Sequence, residues 1–169
     1  MKKFFIFIAF AALVLTYSSC TSCSSEKKSK KDRKMEFKEN LTSEDTVRML
    51  KLADDCMELL KNKDIDLALA MLHEYDDSLQ QVSSLSGATA NKLRRQFEIF
   101  PVLKYEREYF SFVHDGANDV RYRIWFAEEP NPEQNGEPIT RFMFNPVKVD
   151  GEWFLCVKTE NDEIDELRQ

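Results

Sequence analysis

The sequence predicts an α+β domain in which three N-terminal helices pack on a curved four-stranded antiparallel sheet. Three observations support this fold class. Between residues 42 and 100, apolar residues recur at spacings of three and four, which is typical of amphipathic helices. After Pro101 they alternate with polar residues, which is typical of half-buried strands. Asp150-Gly151 lies between two such strands and indicates a two-residue hairpin turn. A block of helices is thus followed by a block of strands, which is typical of an α+β domain.

The helical spacing defines three segments, Thr42–Leu60, Ile65 to about Leu79, and about Thr89–Phe100. Thr42 or Ser43 can cap the first helix, because a short hydroxyl side chain accepts a hydrogen bond from a free backbone N–H group there. Asp64 can cap the second helix in the same way. Pro101 ends the third helix, since proline disfavours helical geometry in the residue before it.

Alternation predicts four strands, Val102–Val113, Val120–Phe126, Ile139–Val149 and Glu152–Thr159, with a polar loop over residues 128–138. The segment Gln80–Ser84 is a further strand candidate. A two-residue turn at Asp150-Gly151 pairs Val149 with Glu152 and therefore also Val147 with Phe154 and Asn145 with Cys156.

The predicted register gives the last hairpin two apolar faces. Phe142, Phe144, Trp153, Leu155 and Val157 form the larger aromatic set, which we assign to the helices. Cys156 then lies on the other side of the sheet from Cys56, and no disulfide is expected between them. The second face has no predicted cover, so we expect a homodimer or another envelope protein to cover it. The candidate interface residues on it are Met143, Val147 and Phe154.

The first residues carry an export signal. Lys2 and Lys3 precede the apolar run Phe4–Leu15, which is shorter than the roughly 20 residues of a membrane-spanning helix. The small residues before Cys20 resemble a bacterial lipobox, which implies a lipid such as palmitate on Cys20, with Cys23 as the alternative site. The predicted organisation is a signal peptide (1–19), a flexible tether (20–40), the α+β domain (41–160) and an acidic tail (161–169). The chain is thus expected in the cell envelope, membrane-bound through its lipid and either periplasmic or surface-exposed.

Composition excludes several function classes. The formal net charge of −6 argues against nucleic acid as a partner, because nucleic-acid binding needs a basic face. No phosphate-binding, zinc-protease or serine-hydrolase motif occurs, and we expect no cofactor and no catalytic residue of those types. His73 has Asp76 and Asp77 at helical ligand spacing, but carboxylates on a helix surface are usually just solvated, so no metal is expected.

Three arginines lie on adjacent predicted strands, Arg121, Arg123 and Arg141. They have two interpretations. They form an anion-binding cluster, or they pair with Glu106 and Glu108 on the solvent side of the sheet.

The pattern as a whole resembles the NTF2-like superfamily, a cone of curved sheet around helices, with a cystatin-like sheet as the near alternative. The resemblance is carried by the helix 43–62, the segment Asp64–Leu72 and the hairpin Val149–Leu155. It implies a cone cavity, whose candidate lining residues here are Tyr75, Tyr105, Tyr109 and Tyr122. The expected function is a non-enzymatic binding or interaction lipoprotein for a small apolar ligand, a peptide or a protein. The alternatives are an isomerase, dehydratase or hydrolase that uses the cavity, and a structural accessory lipoprotein that acts by association only.

Overall fold

Four helices and a six-stranded mixed sheet form the part of the chain that the computed structural model describes, residues 29–129 and 137–158. The α+β class is confirmed, whereas the counts of three helices and four strands are wrong. The proposed signal peptide, Cys20, the first part of the tether and the acidic tail lie outside the described residues. Within them, no helix has both the length and the apolar character needed to cross a bilayer.

The helices are α1 (Lys30–Asn40), α2 (Ser43–Lys61), α3 (Ile65–Met71) and α4 (Gly87–Ile99). Thr42 is the N-cap of α2 and forms a reciprocal capping box with Asp45, which satisfies backbone donors at the helix start. Ser86 caps α4 by accepting a hydrogen bond from the backbone N–H of Thr89. The predicted first and third helices are therefore confirmed as α2 and α4.

Helix α1 lies in the stretch that the sequence predicts to be a flexible tether, and for residues 30–40 that prediction is wrong. Its one apolar anchor is Phe37, which is buried and meets the ring of Trp153 edge-on at 6.0 Å between centroids. Ser29 caps the helix by accepting from the N–H of Asp32. A single buried aromatic in a charged helix leaves no apolar periodicity, so the pattern in the sequence gives no sign of it.

The strands are β1 (Leu72–Asp76), β2 (Gln81–Ser84), β3 (Lys104–His114), β4 (Ala117–Trp125), β5 (Ile139–Val149) and β6 (Glu152–Val157). Their spatial order is β2-β1-β6-β5-β4-β3. Strand β1 runs parallel to β6, while all other neighbours are antiparallel. The four predicted strands correspond to β3–β6, and the candidate Gln80–Ser84 is confirmed as β2.

The prediction of a helix from Ile65 to Leu79 is wrong beyond Met71. There the chain leaves α3 and enters β1, where Leu72 is buried and pairs with Leu155 of β6. Pairing with a strand more than 80 positions away is not encoded in the local spacing, and tertiary contact overrides the local helical preference.

The β5–β6 hairpin follows the predicted register from Val149–Glu152 to Asn145–Cys156. Asp150 and Gly151 both have positive φ, 51° and 83°, as a type I′ turn requires. The assigned face is also confirmed, because the larger aromatic set of this hairpin belongs to the core cluster shared with the helices.

Interlocking aromatic rings fill the space between helices and sheet. Phe97 of α4 meets Phe142 at 5.1 Å, Phe142 meets Phe144 at 4.8 Å, and Phe144 meets Tyr122 at 5.8 Å, all edge-on. This geometry places the positive edge of one ring on the negative face of the next. The side chains of Tyr122 and Phe144 are fully buried.

Candidate functional site

The four tyrosines predicted to line one cavity do not converge. Tyr105 and Tyr122 lie on the helix side of the sheet, with their rings 5.8 Å apart. Tyr109 lies on the opposite face, because it is cross-strand from Arg121 rather than from a core residue. Tyr75 lies on β1 against the backbone of Gly116, where an added Cβ would overlap its ring. The structure therefore brings Tyr105 and Tyr122 together but does not bring Tyr75 and Tyr109 to them.

Both helix-side tyrosines donate to carboxylates of α2. The Tyr122 hydroxyl donates to Asp54 at 2.5 Å, and Arg107 donates to the same carboxylate at 3.1 Å. Burial and the hydrogen bond to Asp54 raise the pKa of Tyr122 well above its usual range. Burial and the bond to Glu58 raise the pKa of Tyr105 to about 12. Both hydroxyls stay protonated at neutral pH and attach the sheet to α2.

The outer face of the sheet, the face turned away from α2 and α4, carries the arginine cluster. Glu108 lies at its centre with a side chain only 10% exposed, and it forms ion pairs with all three arginines. The nitrogen–oxygen distances are 3.1 Å for Arg121, 2.6 Å for Arg123 and 3.1 Å for Arg141. The three arginines therefore lie together and pair with Glu108, while anion binding by them stays a prediction.

A β-bulge aims Glu108 at the arginines. The ladder pairs Arg107 with Tyr122 and Tyr109 with Arg121, so Glu108 is an extra residue on β3 with no partner of its own on β4. Bulges redirect a side chain in this way. Burial opposes the ionisation of Glu108, but hydrogen bonds and positive charge from Arg141 and Arg123 outweigh it and lower the pKa of Glu108.

The cluster has more donors than its glutamate can accept. Each guanidinium has five N–H donors, whereas one carboxylate accepts about four hydrogen bonds. The side chains of Arg123 and Arg141 are 38% and 57% exposed, so part of this donor surface faces solvent. The arrangement can bind a carboxylate or phosphate group.

The outer face of β3–β5 and the end of β6 carry more basic than acidic side chains. The basic residues are Lys104, Arg121, Arg123, Arg141 and Lys158, and the acidic residues are Glu106, Glu108 and Asp119. Lys158 binds Asp119 at 2.7 Å, and Asp119 also accepts from the Tyr109 hydroxyl at 3.2 Å. This face is therefore basic on a chain whose net charge is −6.

The candidate interface is covered in part by the chain itself. Val147 and Cys156 are fully buried, while Met143 and Phe154 are half-buried. The Phe154 ring also meets the ring of His73 at 5.3 Å. Val147 is therefore excluded as an interface residue in this conformation, and the apolar area of the outer face is smaller than the sequence predicts.

Two buried asparagines, which no sequence motif marks, join β4 to β5 where Pro146 lacks an N–H donor. The Asn118 amide donates to the carbonyl of Pro146 at 2.6 Å, and its oxygen accepts from the N–H of Val113 at 2.7 Å. Asn145 accepts from the N–H of Asn118 at 2.9 Å and donates to the carbonyl of Gly116 at 3.0 Å. Their role is structural, since they replace missing ladder bonds.

The structure does not bring together the histidine and aspartates weighed as metal ligands. His73 lies on β1 rather than on a helix, and Asp76 accepts backbone bonds from Ser78 and Leu79 in the following turn. The residues described include no group of three or more His, Cys, Asp or Glu placed to hold a metal. Cys56 and Cys156 are both buried and form no disulfide with each other, as predicted. Burial raises the pKa of Cys56 to about 12.

A cleft of about 410 Å³ lies between α4 and the ends of β5 and β6. Leu93, Phe142 and Val157 give it an apolar part, and Lys92 and Lys158 give it a basic part. The chain matches no family model, no curated protein and no solved structure. The arginine cluster around Glu108 is therefore the candidate site on its geometry alone.

Proposed function

We propose that the chain is a lipid-anchored, non-enzymatic interaction protein of the bacterial cell envelope. A lipid on Cys20 attaches it to the membrane, and the surface of the α+β domain, chiefly the outer face of its sheet, binds a partner. The resemblance to NTF2-like domains remains part of this proposal.

The close packing of aromatic rings between α4 and the sheet is the observation that carries the proposal. The rings of Phe97, Phe142, Phe144 and Tyr122 occupy the space that an open cone would leave for a ligand. Protein interiors packed in this way leave few voids larger than a water molecule. Binding at the surface is therefore better supported than binding of a small apolar molecule in the core.

The cavity enzyme has less support. Its best acid–base pair is Tyr122 with Asp54, but the tyrosine is fully buried and its hydroxyl already donates a hydrogen bond to the aspartate. A general acid or base must reach the proton of a bound substrate, and a buried group committed to an internal bond does not.

Native mass spectrometry of the full chain in detergent tests the non-enzymatic part. We expect the mass of the chain with its lipid and no additional small molecule. A co-purifying small molecule of defined mass, lost when Phe144→Trp overfills the core, would favour the cavity function instead.

Metabolic labelling with an alkyne-tagged palmitate tests the anchor. Cys20→Ala should abolish incorporation, because the thiol that receives the lipid is gone. Cys23→Ala is the matched control and should keep the label. Loss of label from Cys23→Ala alone would transfer the anchor to Cys23, and no label in any form would contradict the proposed attachment.

A second version of the proposal is that the partner is another copy of this chain, bound through the outer face of the sheet. Met143 and Phe154 are the members of the candidate interface that keep some exposure. A different protein can use the same surface, and the oligomeric state in solution distinguishes the two.

A further inference from the structure

Arg141 presents two amino groups for binding on the outer face of the sheet. Within residues 29–129 and 137–158, its one hydrogen bond runs from Nε–H to Glu108 at 3.1 Å. The two terminal amino groups therefore have no hydrogen-bond partner in the part of the chain that the structure describes, and the side chain is exposed. The terminal edge of a planar guanidinium matches the two oxygens of a carboxylate, so Arg141 can bind one without releasing Glu108.

Glu108 fixes this guanidinium group together with a second one. Arg123 of β4 lies directly opposite Arg141 of β5 and donates to the other carboxylate oxygen of Glu108 at 2.7 Å. Like charges at opposed positions destabilise a sheet, and the shared carboxylate offsets this effect. A side chain that is held before its ligand arrives loses less conformational freedom on binding. The donor edge of Arg141 is therefore preorganised.

Apolar side chains lie beside Arg141 on the same face. Ile139 and Met143 are its neighbours two positions away along β5, and both are half-buried. Trp125 pairs with Ile139 across the ladder, and the Lys104 ammonium lies 4.5 Å from the centre of the tryptophan ring. Protein interfaces are enriched in Trp, Met and Arg, and Trp and Arg often dominate their binding energy. These surroundings favour a protein surface over a free anion.

Acidic side chains in the same rows disfavour an anionic membrane as the occupant. Glu106 is exposed and pairs with Arg123 across the ladder, and Glu108 binds both Arg123 and Arg141. An anionic lipid surface presents negative charge everywhere, so both carboxylates would meet it. A protein partner can place one carboxylate at Arg141 and keep its other acidic groups away, because complementary charges are matched group by group.

We propose that Arg141 is the centre of a protein interface on the outer face of the sheet. One aspartate or glutamate of the partner binds the terminal amino groups of Arg141 through both carboxylate oxygens. Apolar side chains next to that acidic residue pack on Ile139, Met143 and Trp125. The inference rests on the proposed function, because it specifies the chemistry of the partner that this face binds.

NMR titration of the full chain in detergent tests this recognition. The probe is the blocked peptide Val-Thr-Glu-Thr-Val, whose glutamate shares one face with both valines when the peptide is extended. The control peptide carries glutamine in place of glutamate and lacks the charge. We expect the Nε–H signal of Arg141 and the indole N–H signal of Trp125 to shift, with about fivefold tighter binding of the glutamate peptide. Equal binding of the two peptides overturns the proposal.

Two arginine variants separate the geometry of the guanidinium group from its charge. Arg141→Lys keeps the charge but loses the paired donors, so it should bind the glutamate peptide about threefold more weakly, measured at the Trp125 signal. Arg95→Lys is the matched control, because Arg95 is an exposed arginine of α4, and it should bind as the unaltered chain does. Equal affinities of the two variants refute the paired contact. The comparison of the two peptides uses the unaltered chain, so it decides the question even if a variant misfolds.

Other occupants give different outcomes in the same titration. Inorganic phosphate that binds as tightly as the glutamate peptide would make Arg141 a general anion site. Short-chain phosphatidylglycerol that binds more tightly than the peptide would assign the face to a membrane. Tighter peptide binding by Phe154→Glu would show that a second copy of the chain occupied Arg141. Each of these results overturns the proposal, whereas palmitate labelling tests the lipid anchor separately.

Discussion

Replacing Glu108 with glutamine should destabilise the domain through charge alone. The side chains have nearly the same shape, but the variant leaves Arg121, Arg123 and Arg141 without their shared carboxylate. Glu108 is 10% exposed and lies within 3.1 Å of a nitrogen of each arginine, so water compensates little for its loss.

The size of the expected loss of stability follows from how exposed the three arginine side chains are. Removing one member of a fully buried ion pair costs about 3–5 kcal/mol, whereas an exposed pair contributes about 0.2–1 kcal/mol. Here the arginine side chains are 19%, 38% and 57% exposed, which lies between these cases. We therefore expect Glu108→Gln to lower the free energy of unfolding by about 2 kcal/mol at pH 7.

The effect should depend on pH in a defined direction. The pKa of Glu108 is lower in the folded protein than in the unfolded chain, where it is about 4.3. Its contribution is therefore fully present above the unfolded pKa and is lost as the pH falls through the folded pKa. The difference in unfolding free energy between the unaltered chain and Glu108→Gln should be constant from neutral pH to about pH 5 and shrink below about pH 4.

Urea denaturation followed by tryptophan fluorescence measures the effect. With a slope of about 2 kcal/mol per molar urea, the midpoint should fall by about 1 M. Glu106→Gln is the matched control on the same strand and face, because Glu106 is exposed and should change stability by less than about 0.5 kcal/mol. If Glu108→Gln is no more destabilising than Glu106→Gln, the cluster does not stabilise the sheet as we argue.

Three further predictions concern other parts of the domain. Asn118→Ala should lower the free energy of unfolding by about 2–3 kcal/mol, because it leaves two buried backbone groups unpaired. The control Asn91→Ala, on the exposed face of α4, should have little effect. Equal effects of the two variants in urea denaturation would refute this prediction. Cys56 and Cys156 should both react with a thiol reagent in the unfolded, unreduced chain. In the folded chain Cys56 should be unreactive, because its thiol is buried and has a pKa of about 12. Failure of the two thiols to react in the unfolded chain would reveal a disulfide. Sedimentation should show a dimer at micromolar concentration that Phe154→Glu converts to a folded monomer, and a monomeric wild-type chain would rule out self-association.

Several elements were predictable because their signals are local. The capping residue Thr42 and the apolar spacing after it define α2, and Asp150-Gly151 sets both the turn and the register of β5–β6. The face assignment and the absence of a bridge between Cys56 and Cys156 then follow from the alternation of side chains along a strand.

The sequence alone determined the helices α2 and α4 and the last hairpin, because each depends on residues close together in the chain or on simple alternation. Only the tertiary structure decided that Leu72 belongs to a strand, since its partner Leu155 is distant in sequence. It also decided that Tyr75 and Tyr109 lie apart from Tyr122, and that all three arginines share Glu108, the extra residue of a bulge. A bulge shifts side chains to the other face of a strand, and no local pattern marks where the partner strand will impose one.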